Sequence, residues 1–214
     1  MKINNEERKR IEGLVLVAVT AIAAELSEVM DTAKEITIGA ANAKATSARA
    51  GDKARGFLPL TDYIDELARA SLKVVHRINV EALDASRTAS REFRAQDAKA
   101  HFDSALAQID DGISVHGIQQ AIERLRGVLT ECREGFQQHI KRLLILLEEL
   151  DRNMRTAETI AVSCRVEASR AEEYEGSLGT VADNLARAST SIRSHVGGCA
   201  RQLDEAMVLR QAMA

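Results

Sequence analysis

Three cysteines, five histidines and one carboxylate–amide pair are the side chains here whose chemistry and spacing merit a test. Cys132, Cys164 and Cys199 are too far apart for a metal knuckle, and all three fall on apolar helical positions. Such cysteines act as small hydrophobes, and an odd thiol fits a reducing compartment better than a disulfide framework. His139 sits between Phe136 and Leu143 with no second histidine three or four residues away. His76, His101, His116 and His195 show no paired spacing either, so no metal site is expected. Glu134 and Gln138 lie at i, i+4, where an acid and an amide on one helix turn could orient a water toward a phosphoryl group. Many surface pairs on a helix of this composition meet that spacing. Gly51 and Gly56 form no phosphate loop, because no strand precedes them and no Gly-Lys-Ser/Thr follows. The expectation is a non-enzymatic protein with no cofactor.

The elements that carry these residues read as long helices. Of the 214 residues only 3% are aromatic, tryptophan is absent and the one proline is Pro59. In the first helix the series Ile22, Leu26, Val29, Ala33, Ile36, Ala40, Ala43, Ser47, Ala50 alternates steps of four and three, which keeps one seam toward a partner. Beyond Ile38 that seam holds no large side chain. Gly51 and Gly56 break the helix, Asp52 can cap the next one, and Pro59 is tolerated in its first turn. The second helix carries Leu60, Ile64, Leu67, Ser71, Val74 and Ile78, then Ala82, Ala85, Ala89 and Phe93, and should end near Ile109, before Asp110-Asp111-Gly112. A third runs from about Ser114 to Ala171 on a seam from Ile118 to Ala171 that includes Phe136, His139 and Leu143. The fourth starts at Leu178, with Gly176 inside the second turn.

These elements predict an all-α fold, an elongated antiparallel four-helix bundle or coiled coil made of two helical hairpins. The first would span 1–110 with its turn near 50–56, and the second 111–214 with its turn near 172–177. A first helix of about 45 residues would be on the order of 70 Å long. Both turns would sit at one end of a single bundle, and a monomer is favoured over a homodimer. The net charge of −3, with basic and acidic residues interspersed, argues against nucleic-acid binding. The apolar run Gly13–Ala24 falls short of the roughly 20 residues a membrane span needs and lacks a signal-peptide pattern. A soluble, cytoplasmic protein with no membrane span is expected.

The two turns carry a resemblance. ARAGDKARGF (Ala48–Phe57), preceded by Asn42 and followed by a helix with LARAS (Leu67–Ser71), resembles the hairpin tip of bacterial chemoreceptors, the methyl-accepting chemotaxis proteins. The match is close over about Ile38–Ser71. A fainter copy, RVEASRAEEYEGSLGTVADNLARAS (Arg165–Ser189), also ends in LARAS, and the fainter match runs from Ile160 to Ser189. In that family the tip contacts the chemotaxis histidine kinase and its coupling protein and packs receptors together. The resemblance implies that Asn42 faces the coupling protein, that Arg49 lies at the receptor–receptor contact, and that Asp52, Arg55, Gly56 and Phe57 keep the tip pattern. Thr46 replaces a contact glutamate, and Pro59 a valine of the partner groove. In the second copy Glu167, Arg170 and Glu173 match, whereas Ser163, Glu172, Ser177 and Leu178 depart.

The family's transmembrane helix, sensory domain and linker module find no match, and Glu148-Glu149 reads as solvated face rather than a methylation pair. A receptor tip normally pairs two identical hairpins from two chains; this chain could pair two of its own. The resemblance therefore implies a protein that binds the chemotaxis kinase, its coupling protein, or both, with other chemoreceptors as a further partner. The surface expected to do so is Phe57, Leu58 and Leu60, bordered by Asn42, Arg49, Asp52 and Arg55, with Glu167 and Arg170 from the second copy. Two alternatives stand beside it: a helical phosphatase acting on a response regulator through Glu134 and Gln138, and a structural adaptor bundle.

Overall fold

The computed structural model describes residues 5–108 and 116–211, with α1 side chains at Ile22 and from Glu25 onward and α4 side chains as far as Val208. Helix α1 spans Asn5–Ala50, α2 Phe57–Leu106, α3 His116–Ala168 and α4 Glu175–Gln211, with 3-10 turns at Gly51–Ala54 and Glu172–Tyr174. Among the described residues there is no strand, and the fold is an all-α bundle of helical hairpins. The expected break at Asp110-Asp111-Gly112 lies outside the described residues. No described helix is long and apolar enough to cross a membrane.

Contacts group the chain into two compact units, each drawing on both hairpins rather than on one. The unit made of 22–80 and 144–201 contains both bends. Within it Lys44–Asp62 (2.6 Å) ties α1 to α2, and Arg165–Asp183 (2.7 Å) ties α3 to α4. Arg77–Glu149 (3.3 Å) joins α2 to α3, and His195 with Glu25 joins α4 to α1. Each helix in this unit therefore has two neighbours in a closed ring. The other unit takes in the part of α1 before Ile22, residues 81–143 and the chain from Gln202. Its apolar interior includes Ile122, Leu129, Phe136, Ile140 and Leu203, and Glu81 receives both His139 (2.6 Å) and Arg142 (3.2 Å).

All nine seam positions expected on α1, from Ile22 to Ala50, are buried. The seam on α2 is corrected. Phe57, Thr61, Ile64, Ala68 and Ser71 are buried, while Leu60 and Leu67 are only half-buried. Further along, Phe93 is 41% exposed and its neighbour Glu92 only 5%, paired with Arg133 at 3.3 Å. The physical reason is hydroxyl bonding. Thr61 donates to Leu58 O (2.7 Å) and Ser71 to Leu67 O (2.8 Å), so both enter the core with their polar atoms satisfied. Small residues near the bends on α1 and α3, such as Ala43, Ala50, Ala161 and Ala168, are complemented by Phe57, Ile64, Leu178 and Leu185 on α2 and α4.

The second bend is also corrected. The chain reverses over 169–174, where Tyr174 N–H reaches Ala171 O at 3.0 Å, so Gly176 lies inside α4. The left-handed residues are Gly51 (φ 58°) and Glu172 (φ 49°), 121 positions apart (172 less 51). That one offset relates the buried positions of both hairpins. Leu26 maps to Leu147, Ala50 to Ala171, Phe57 to Leu178, Ile64 to Leu185 and Ile78 to Cys199, all buried. The two LARAS segments are three residues out of this register, and Ser71 corresponds to Ile192 rather than to Ser189. Each segment nonetheless ends in a buried serine that donates to the carbonyl of its own leucine, Ser71 to Leu67 O at 2.8 Å and Ser189 to Leu185 O at 2.7 Å. The repeat lies in the burial pattern and the bends.

Candidate functional site at the paired bends

Each bend is made by one left-handed residue that lets the helix reverse within a few positions. At the first, Arg55 N–H reaches Asp52 O at 3.4 Å, so Asp52 acts through its backbone and not as a side-chain cap. The bends lie side by side. Lys53 Nζ is 2.9 Å from Glu172 Oε2 and donates to Glu173 Oε1 at 3.3 Å. Those two carboxylates, first by hydrogen bonding and then by their charge, hold the Lys53 ammonium above its usual pKa. The three side chains are solvent-exposed, so the clasp sets register more than stability.

A second contact is steric. Any Cβ at Gly56 would overlap the carboxylate of Glu167, which accepts a hydrogen bond from Arg170 Nη1 at 2.9 Å. Glycine at 56 thus lets a side chain of the second hairpin lie against the backbone of the first. Glu167, bonded to Arg170, therefore lies beside Gly56, which stands between Arg55 and Phe57 of the first copy.

The remaining expected residues separate into surface and core. Asn42, Arg49, Asp52 and Arg55 are exposed, and Arg49 Nη2 donates to Thr46 Oγ1 at 3.3 Å. Among the described residues the side chains of Asn42, Asp52 and Arg55 have no partner of their own. Leu58 is 38% exposed and Leu60 half-buried. Phe57 is 0% exposed, which corrects its expected place on the outer surface. It occupies the seam position corresponding to Leu178, and these two large side chains fill the core where α1 and α3 have only small residues. Phe57 supports the bend from within.

Glu134 and Gln138 are exposed on α3, where Gln138 Oε1 accepts from Arg142 Nη2 at 3.5 Å. That arginine also reaches Glu81, so the amide is drawn toward a structural ion pair. Among the described residues no three His, Cys, Asp or Glu side chains cluster as a metal site would. Burial pushes the thiols of Cys164 and Cys199 up to about 11 in pKa, which keeps them protonated at neutral pH. With Cys132 also buried, an aromatic disulfide reagent at pH 7.5 should find no fast-reacting thiol in the folded protein. Three should react after denaturation. Immediate stoichiometric reaction in the native state would contradict this burial.

Sequence reasoning did not anticipate the clasp at Lys53, the Glu167–Gly56 contact or a groove of about 410 Å³ between α1 and α4. All three join residues of different hairpins. Gly39, in the groove wall, was the only local signal: a glycine within a helix, where alanine is favoured by about 1 kcal/mol. No family model matches the chain, and no curated protein matches it by sequence.

Proposed function

We propose that this protein is a chemoreceptor-like signalling protein that binds the chemotaxis histidine kinase, its coupling protein, or both, through its paired bends. The observation that carries this reading is the placement of two related bends in one compact unit, clasped by Lys53, Glu172 and Glu173. A single chain thereby offers the paired-hairpin end that receptors of the resembled family build from two chains. The docking surface comprises Arg55, Asp52, Arg49 and Asn42 with the exposed part of Leu58 and Leu60, and Glu167 with Arg170 on the second bend. Its exposed cations and carboxylates set orientation and association rate, and the leucines supply the apolar contact.

Two departures define what the protein does with that surface. Thr46 stands where the family has an acidic receptor–receptor contact, and Glu172 occupies the left-handed place held by Gly51 in the first copy. The second bend is consequently more acidic, so a kinase-side partner meets one receptor-like bend and one altered bend. Arg55→Glu is expected to weaken capture of the kinase–coupling-protein pair roughly tenfold or more, the equivalent of about 1.4 kcal/mol. Its melting temperature should stay at the parent value, because Arg55 is exposed and unpaired among the described residues. Unchanged capture with both purified proteins present would remove the site assignment.

A further inference from the structure

The 121-residue repeat makes two faces of the bend-containing unit directly comparable, because every residue on the α1–α4 face has a counterpart on the α2–α3 face. The α1–α4 face is open. Its groove has a floor of Ile36, Ala40, Ile64 and Leu185, and its walls carry Gly39, Val181 and Ala188. A Cβ at Gly39 would meet nothing within 4 Å. At the corresponding places of the α2–α3 face stand Ile160 for Gly39, Leu60 for Val181 and Leu67 for Ala188, all half-buried. At each of these three places the α2–α3 face carries the larger aliphatic side chain, isoleucine for glycine, leucine for valine and leucine for alanine.

The rims of the open groove are oppositely charged. Glu35 lies on the α1 side, exposed and without a partner among the described residues. Arg187 lies on the α4 side, where its guanidinium donates to Asn184 Oδ1. From Thr32 to Ala40 the groove runs about 12 Å along α1, a little over two helical turns. It is partly open, its floor residues are buried, and the small side chains at Gly39, Ala40 and Ala188 permit a close backbone approach. An aliphatic side chain every three or four residues on a helix would match this spacing, as helix-in-groove recognition generally does.

We propose that the α1–α4 groove is a docking site for an amphipathic helix of a partner protein. The helix inserts leucine- or isoleucine-sized side chains beside Gly39 and Ala188, with a cationic flank toward Glu35 and an anionic flank toward Arg187. The chain's own Ile160, Leu60 and Leu67 give the size and chemistry of the missing filler. The opposed rim charges give the orientation, because exposed ion pairs select direction and partner more than they add affinity. This site is separate from the bends and needs neither the kinase nor its coupling protein.

The probe is a synthetic helical peptide with leucine at i, i+4 and i+7, lysine along one flank and glutamate along the other. It is titrated into the full chain and followed by fluorescence anisotropy. Wild-type protein should bind it, and Gly39→Ile combined with Ala188→Leu should weaken binding roughly tenfold or more by copying the filled face. That variant adds side chains into open space, and its circular dichroism and melting temperature verify its fold. Arg187→Glu makes both rims acidic and should transfer preference to a peptide with lysine on both flanks. The proposal is overturned if the peptide does not bind, if the filled variant binds it equally, or if the Arg187→Glu variant binds both peptides alike. It is also overturned if light scattering shows the wild type to be a dimer that filling the groove dissociates, since the occupant would then be a second copy.

Discussion

Phe57→Ala is expected to destabilise the protein by about 3–5 kcal/mol, the usual cost of removing a fully buried aromatic ring from a core that cannot collapse around the space. Phe57 has no exposed surface, and the neighbouring seam positions on α1 are alanine and serine, which cannot move in to replace it. Guanidinium or thermal unfolding followed by circular dichroism at 222 nm measures the effect. The chain has 214 residues, and for chains of 150–250 residues each kcal/mol lowers the melting temperature by roughly 2–4 °C. A loss near the upper limit would leave the bend frayed at growth temperature even where the remote core holds. A parental unfolding midpoint would mean that Phe57 is not a core residue and would restore it to the outer surface. Phe57→Ala must therefore not be read as a docking variant. Any loss of partner capture it causes follows from the bend, whereas Arg55→Glu changes the surface alone.

The contrast between Phe57 and its neighbours shows how far the sequence could be read. The α1 seam was legible because Ile22, Leu26, Val29 and Ile36 are large, apolar and spaced without a break. The α2 seam was not, because Thr61 and Ser71 look like surface residues until their hydroxyls are bonded to carbonyls one turn earlier. Leu60 and Leu67 then present a plausible but displaced apolar stripe. At the bends, Gly51 announced its left-handed backbone through residue type, whereas a glutamate at the same place in the second copy carries no such signal. The second bend was consequently placed too late, around Gly176. At the candidate site, exposure of Asn42, Arg49 and Arg55 followed from their position off the seam. The approach of Lys53 to Glu172, and of Glu167 to Gly56, depends on how two hairpins pack, which local spacing does not encode. The LARAS pair was legible as a local likeness, each ending in a buried serine bonded to its own leucine carbonyl, but not the three-residue shift between the two in the burial register.

Because one backbone position occurs twice with two residue types, the protein contains its own test of the bend. Gly51 and Glu172 adopt nearly the same left-handed φ, 58° and 49°. For an L-residue with a side chain that conformation costs roughly 1–2 kcal/mol, and for glycine almost nothing. Gly51→Val should therefore destabilise the fold by about 2 kcal/mol or more, since a β-branched residue is poorly tolerated at positive φ. No steric clash contributes, because nothing lies within 4 Å of a Cβ at Gly51. Glu172→Gly should have the opposite sign and stabilise by about 1 kcal/mol, reduced by the extra freedom glycine gives the unfolded chain. It also removes one of the two carboxylates at Lys53, but Glu173 remains to hold that ammonium. Glu172→Ala separates the two effects, because it deletes the carboxylate while keeping the strained backbone. If alanine and glycine at 172 gave equal melting temperatures, the backbone would carry no strain there. If glycine alone raises the melting temperature, the strained backbone at 172 is a real cost that the parent chain carries. The second bend then retains a charged residue that its backbone disfavours, as expected where that carboxylate serves the contact between the hairpins or a partner at their surface.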